Sequence, residues 1–237
     1  MQDITNILID YAKDMGLEVT PNQASSFQKY IELLIDWNTK INLTTITEPC
    51  EVAAKHFLDS IMILKYVDIP SDAKFIDVGT GAGFPGLPLK VMKPKLKVTL
   101  LDGLNKRLKF LKDVSENLYL PVELVHARAE EAGRQKQFRQ KFDFASARAV
   151  AQLNVLCEYC LPFIKINGTF IAMKGPNPQE EIKNAENAIS LLGCELAKVK
   201  EFQLPNGDSR SLIFIKRTKP LSDIYPRHGS KISKKPL

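Results

Sequence analysis

The chain has 237 residues, 44% apolar and 25% charged, ordinary values for a soluble globular protein that exclude a disordered or disulfide-stapled chain. No apolar run reaches the roughly 18 residues of a membrane span, and the start, MQDITNILID, lacks the basic flank of a secretory signal. The net charge of +6 is unevenly spread: residues 1–74 carry six basic and eleven acidic side chains, residues 216–237 seven basic and one acidic.

Residues 3–15 read as a helix with Ile4, Ile7, Leu8, Tyr11 and Met15 on one face. Thr20-Pro21-Asn22-Gln23 reads as the capped start of a second helix, to about Trp37. Glu51–Tyr66 reads as a third, with Val52, Phe57, Ile61 and Leu64 as core. At Lys74 the rhythm changes to alternation. Strands are expected at 75–79, 97–102, 122–127, 142–147 and 168–175, and helices at 86–93, 105–118, 151–165 and 178–192. AKVKEFQL and SLIFIKR, joined by PNGD, read as a closing pair of strands. The pattern predicts a mostly parallel sheet with helices on both faces, an antiparallel closing strand and a helical N-terminal extension.

The stretch Asp77-Val78-Gly79-Thr80-Gly81-Ala82-Gly83-Phe84-Pro85-Gly86 follows the first strand and opens a helix. Glycines there permit a tight turn and a close backbone approach to a ligand. Asp102 ends the second strand, where a carboxylate can accept both hydroxyl protons of a ribose. An adenosine-containing cofactor follows. Asp77, two residues before Gly79, would repel a pyrophosphate and suit the ammonium and sulfonium of S-adenosylmethionine; the alternative is a buried carboxylate capping the loop's own N–H groups. Ala129-Glu130, after the third strand, would border an adenine, or simply start a helix.

The four cysteines are Cys50, Cys157, Cys160 and Cys194, too few to staple the fold, and they predict reduced thiols in a cytoplasmic protein. Cys157 and Cys160 fall on one face of an apolar helix, which favours core packing; no metal site is expected. The basic tail suits a polyanion, a solvated terminus being the plain alternative.

FIDVGTGAGFPGLPL, LLDGLNKRLKFL, HARAEE, ASARAVAQL, MKG, WNTKINLT with HFLDS, and YPRHG together resemble the bacterial small-subunit ribosomal RNA guanine-N7 methyltransferases, the glucose-inhibited division protein B family. The resemblance covers nearly the whole chain. It implies a class I S-adenosylmethionine-dependent methyltransferase: a Rossmann-like, mostly parallel seven-stranded sheet. The domains would be a helical extension (1–72), the methyltransferase domain (73–217) and a basic tail (218–237). It implies the donor S-adenosylmethionine and, as partner, 16S ribosomal RNA or the small-subunit particle, with neither membrane nor metal. Cofactor positions fall on Gly79, Phe84, Ala129, Glu130 and Arg148, with Asp102 on the ribose and Asp77, Gly81 and Gly83 in the same loop. Gly103 departs from the small polar residue usual after that acid.

Guanine N7 has a lone pair and no proton, so its methylation needs alignment and not a general base. No catalytic acid or base is therefore assigned. Arg148 can position the substrate through guanine O6, hold the cofactor carboxylate, or bind a sheet-end carbonyl. Lys174, Arg210, Arg227, Lys231, Lys234 and Lys235 are candidates for RNA contacts, mainly to phosphate. His56, Asp59, Asn38 and Asn42 either close the pocket, bind RNA, or serve packing and capping. From the residues alone, a same-fold enzyme acting on a small molecule or protein stays open, as does a non-catalytic RNA-binding module.

Overall fold

A computed structural model describes residues 2–237. The helix start at Thr20 is present in full: Thr20 Oγ1 accepts from Gln23 N (3.3 Å), and Gln23 Oε1 accepts from Thr20 N (2.9 Å). This opens α2 (Pro21–Asn38), which follows α1 (Thr5–Asp14). A broken helical run comes next: α3 (Pro49–Val52), a π-helical stretch (Ala53–Leu58), α4 (Asp59–Ile61) and α5 (Ile63–Tyr66). The π-helical stretch, an uncommon geometry often found at functional positions, carries His56.

From Lys74 the chain alternates as expected. The elements are β1 (Lys74–Val78), α6 (Gly86–Met92), β2 (Lys97–Asp102), α7 (Asn105–Asn117), β3 (Glu123–His126), the single turn α8 (Ala129–Ala132), β4 (Phe142–Arg148) and α9 (Leu153–Cys160). They continue with β5 (Ile164–Lys174), α10 (Gln179–Leu191), β6 (Cys194–Gln203), β7 (Ser209–Arg217) and α11 (Gly229–Lys234). Among the described residues seven strands run in the order β3-β2-β1-β4-β5-β7-β6, and β7 runs against the other six. The third helix, read as continuous over 51–66, is broken into pieces, the strand read from Ala197 begins at Cys194, and the largest boundary shift lies before β5. The helix expected to reach 165 stops at Cys160, and β5 begins at Ile164 instead of 168. Asn167 has φ +68° and the β4–β5 register shifts between Phe142 and Phe144, so the strand's start lacks clean alternation.

Successive strand residues face opposite sides. Phe75 and Leu100 join one core with Leu8, Phe27, Ile31, Phe57, Leu87 and Phe110, so the N-terminal helices form part of that layer. Ile76 and Leu101 join the other, with Leu153, Leu156, Phe163 and Phe170. Cys157 and Cys160 are buried in the second core, and burial pushes both thiols up, away from reactive thiolate. Among the described residues no helix is long and apolar enough to cross a membrane.

Candidate functional site

The loop between β1 and α6 turns through three left-handed glycines, Gly79, Gly81 and Gly83 (φ +68°, +60° and +94°). At Gly83 a Cβ would lie 2.4 Å from Tyr30 Oη and 2.9 Å from Leu87 and Leu111. Tyr30, from α2, donates to the Ala82 carbonyl and stacks on Phe84 with ring centroids 5.6 Å apart. The helical extension thus props the loop from beneath. Nothing local in the sequence signals this role of Tyr30.

Asp77 is the main correction to the sequence reading of this loop. Its carboxylate has no exposed surface and accepts from Thr80 Oγ1 (2.7 Å), Gly86 N (3.0 Å) and Ser146 Oγ (2.9 Å). Burial raises its pKa, and these three donors oppose the rise. It caps the loop's own donors, the loop-capping alternative, and does not line the cavity. Asp102 stands at the cavity itself: Oδ2 accepts from Gly81 N (2.9 Å) and Oδ1 from Leu104 N (2.8 Å), while Arg107 Nη1 lies 3.3 Å from Oδ2.

The loop borders a cavity of about 630 Å³. Gly79, Gly81, Phe84, Asp102 and Arg148 line it, joined by His56, one of the residues offered for closing the pocket, and by Thr44, Arg107 and Arg128, which sequence reasoning missed. A recess of about 190 Å³ continues past Gly79 and Gly103 and brings in Ala129 and Glu130. Gly103 leaves space there, since a Cβ would lie 3.3 Å from the Arg128 guanidinium. Neither Asp77 nor Gly83 reaches the lining; both shape the loop.

Arg148, at the end of β4, lies over the Phe84 ring (4.9 Å) and donates to the Lys55 carbonyl (2.9 Å), to Asp59 Oδ2 (3.1 Å) and to His56 Nδ1 (3.2 Å). Its guanidinium therefore ties the helical extension to the sheet. His56 Nδ1 lies 3.2 Å from both Arg148 Nη2 and the Lys55 carbonyl oxygen, and Nε2 lies 2.8 Å from Thr44 Oγ1, so both ring nitrogens are engaged. Burial, reinforced by Arg148, holds the His56 pKa down at about 3, so the ring is neutral at physiological pH. Thr44 Oγ1 also accepts from Ile46 N (3.1 Å) and lines the cavity wall. Asn38 shapes this loop by accepting from Leu43 N (2.8 Å) and Thr44 N (3.0 Å); Asn42 is exposed.

A second cavity, about 340 Å³, shares His56, Arg148 and Ala149 with the first and adds Asp59, Lys174 and Arg210. Ala149 has φ +54°, a conformation that costs a non-glycine residue energy and recurs at functional turns. Asp59 is buried, which raises its pKa, and Arg148 and Arg210 oppose the rise. Lys174 donates to the Ala151 carbonyl (2.7 Å) and Glu181 (2.6 Å), and Arg210 pairs with Asp208 (3.0 Å), so both have internal partners. Arg227 is corrected outright as a free phosphate contact: it is bound to the fully buried Glu158. Lys231, Lys234 and Lys235 are exposed.

The donor set suits an adenosyl ligand. Asp102 keeps acceptor capacity at the wall, the glycine loop brings backbone close, and Arg107 Nε, on the same wall, is a buried side-chain nitrogen without a partner.

The family model described as rRNA small subunit methyltransferase G matches residues 23–213. The chain is 48% identical over 239 residues to "Ribosomal RNA small subunit methyltransferase G" of Desulforamulus reducens, covering 100% of both chains. To the protein of the same name in Alkaliphilus metalliredigens it is 50% identical over 233 residues, 98% of each. Among solved structures it resembles TrmN from Thermus thermophilus (TM-score 0.53, 16% identity, 68% of this chain and 48% of that one). It also resembles P. horikoshii TYW2 in complex with MeSAdo (TM-score 0.53, 14% identity, 68% and 61%). These two likenesses concern the fold.

Proposed function

The chain belongs to the family of rRNA small subunit methyltransferase G, and from that premise we propose that it transfers a methyl group from S-adenosylmethionine to N7 of a guanine in small-subunit ribosomal RNA. The observation that carries the reading is the pair of cavities joined at His56, Arg148 and Ala149. The larger, with Asp102 and the glycine loop, is the donor pocket; the smaller is the place for the target base.

Asp102 would hold the ribose hydroxyls, the loop backbone and Phe84 would flank the nucleoside, and Gly79, Ala129 and Glu130 would border the base. S-adenosylmethionine supplies a sulfonium-activated methyl group. The chain's own residues then align and exclude water. The bases at the junction are committed: His56 is neutral with both ring nitrogens engaged and a pKa of about 3, and the Asp59 carboxylate is bound to Arg148. This arrangement fits a nucleophile with no proton to lose, as guanine N7 is. Arg148 acts by fixing the junction, and Lys231, Lys234 and Lys235 stand ready for phosphate.

The test is methyl transfer from labelled S-adenosylmethionine to small-subunit RNA and particles from cells lacking the gene. We expect label on a single guanine, released by the borohydride–aniline cleavage specific to N7-methylguanine. Label on an exocyclic amine, on protein or on small molecules would overturn the reading.

A further inference from the structure

Charge alone assigns the C-terminal segment to RNA, yet its first half is fastened into the protein. Arg227 donates from Nε and Nη2 to both oxygens of Glu158 at 2.6–3.0 Å, and from its main-chain N–H to Oε1 at 2.7 Å. Glu158 lies on α9 and has no exposed surface. Two further arginines grip the preceding carbonyls: Arg139 donates to Tyr225 O (2.6 Å) and Ser222 O (3.0 Å), and Arg134 to Ile224 O (3.1 Å). Leu221 and Tyr225 are buried.

This fastening delivers Gly229 to the wall of the 190 Å³ recess, opposite Tyr159 and beside Glu130. The approach is close: a Cβ on Gly229 would fall 2.0 Å from a Glu130 carboxylate oxygen. The recess opens from the main cavity at Gly79, Gly103 and Arg128, whereas the cavity for the target base opens at Arg148 and Ala149. Asp102, the ribose carboxylate, lies on the main cavity that joins them. A donor whose methyl end faces Arg148 and whose sugar meets Asp102 has its purine left for the recess.

We infer that residues 225–229 form a strap that builds the outer wall of the donor's purine site, and that Glu158 and Arg139 are positioning residues for cofactor binding. The inference rests on the reading of the main cavity as the donor pocket. The strap is thus part of the cofactor site, and the exposed Lys231, Lys234 and Lys235 lie beyond it.

The test is amide hydrogen exchange on the full chain with and without S-adenosylhomocysteine. We expect slowed exchange at 225–232 together with 79–84 and 127–131. Protection of the glycine loop with no change at 225–232 overturns the strap; no protection anywhere overturns the donor reading itself. Calorimetry on Arg227→Gln is the second arm. Its dissociation constants for S-adenosylhomocysteine and for 5′-methylthioadenosine, which lacks the amino acid, should rise by the same factor, about tenfold. Unchanged constants in a variant with native near-ultraviolet circular dichroism overturn the inference. If that variant does not fold, the exchange result on the natural chain decides.

Discussion

Replacing Asp77 separates a carboxylate that holds the loop from one that attracts the methyl donor. Its Oδ2 accepts from Thr80 and Gly86, and its Oδ1 from Ser146. In Asp77→Asn the carbonyl oxygen can keep the first two bonds, and the Ser146 hydroxyl can turn to accept from the new amide. Charge-assisted bonds become neutral ones, but a buried charge is removed as well, so the net loss is about 1 kcal/mol. In Asp77→Ala all three donors are stranded; at about 1–3 kcal/mol for each unsatisfied buried group, the loss is about 3–9 kcal/mol. Urea unfolding should return these two values. Calorimetry should find S-adenosylmethionine bound by the Asn variant within about threefold of the natural chain. The reasoning is refuted if Asp77→Asn unfolds with unchanged free energy while its affinity falls tenfold, about 1.4 kcal/mol of direct ligand interaction.

Three further outcomes follow from the site. His56 has a folded pKa of about 3, against an ordinary value of 6.5, so between these limits the unfolded chain binds a proton that the folded chain does not. Its contribution is fully present above pH 6.5 and lost on acidification at about 1.4 kcal/mol per unit, about 2 kcal/mol by pH 5; His56→Gln should remove that slope from the urea midpoints. Asp102→Ala should weaken S-adenosylmethionine at least about tenfold by calorimetry without unfolding the chain; unchanged affinity removes Asp102 from the ribose role. Replacing Lys231, Lys234 and Lys235 with alanine should lower the slope of log affinity for single-stranded RNA against log salt by about 2, from about 0.7 per phosphate contact; an unchanged slope makes them bystanders.

What could be read in advance was whatever the chemistry decides locally. The box at Thr20 and Gln23 needs only neighbours three residues apart, and the sheet follows from alternating strands and helices. The glycine loop and Asp102 were legible because turn geometry and a strand end place them. Asp77 was harder, since strand position does not tell whether a carboxylate looks outward or under the turn, and Ser146, which fixes the answer, lies 69 residues away. Arg227 was read by charge, which cannot see a buried partner at the same separation. Tyr30 and Arg107 gave no signal because aromatic or basic residues on helices are usual. The start of β5 was lost to an irregular register.

The propping of Gly83 by Tyr30 has a consequence for synthesis of the chain. The apolar faces of α1 and α2 leave the ribosome before Phe110 and Leu111, which share their core and come some eighty residues after Tyr30. The leading helices must wait, uncovered, for the strands that complete their core. A chaperone met early in translation, or a pause before β2, would therefore act on these helices and not on the glycine loop, although the loop would inherit the result.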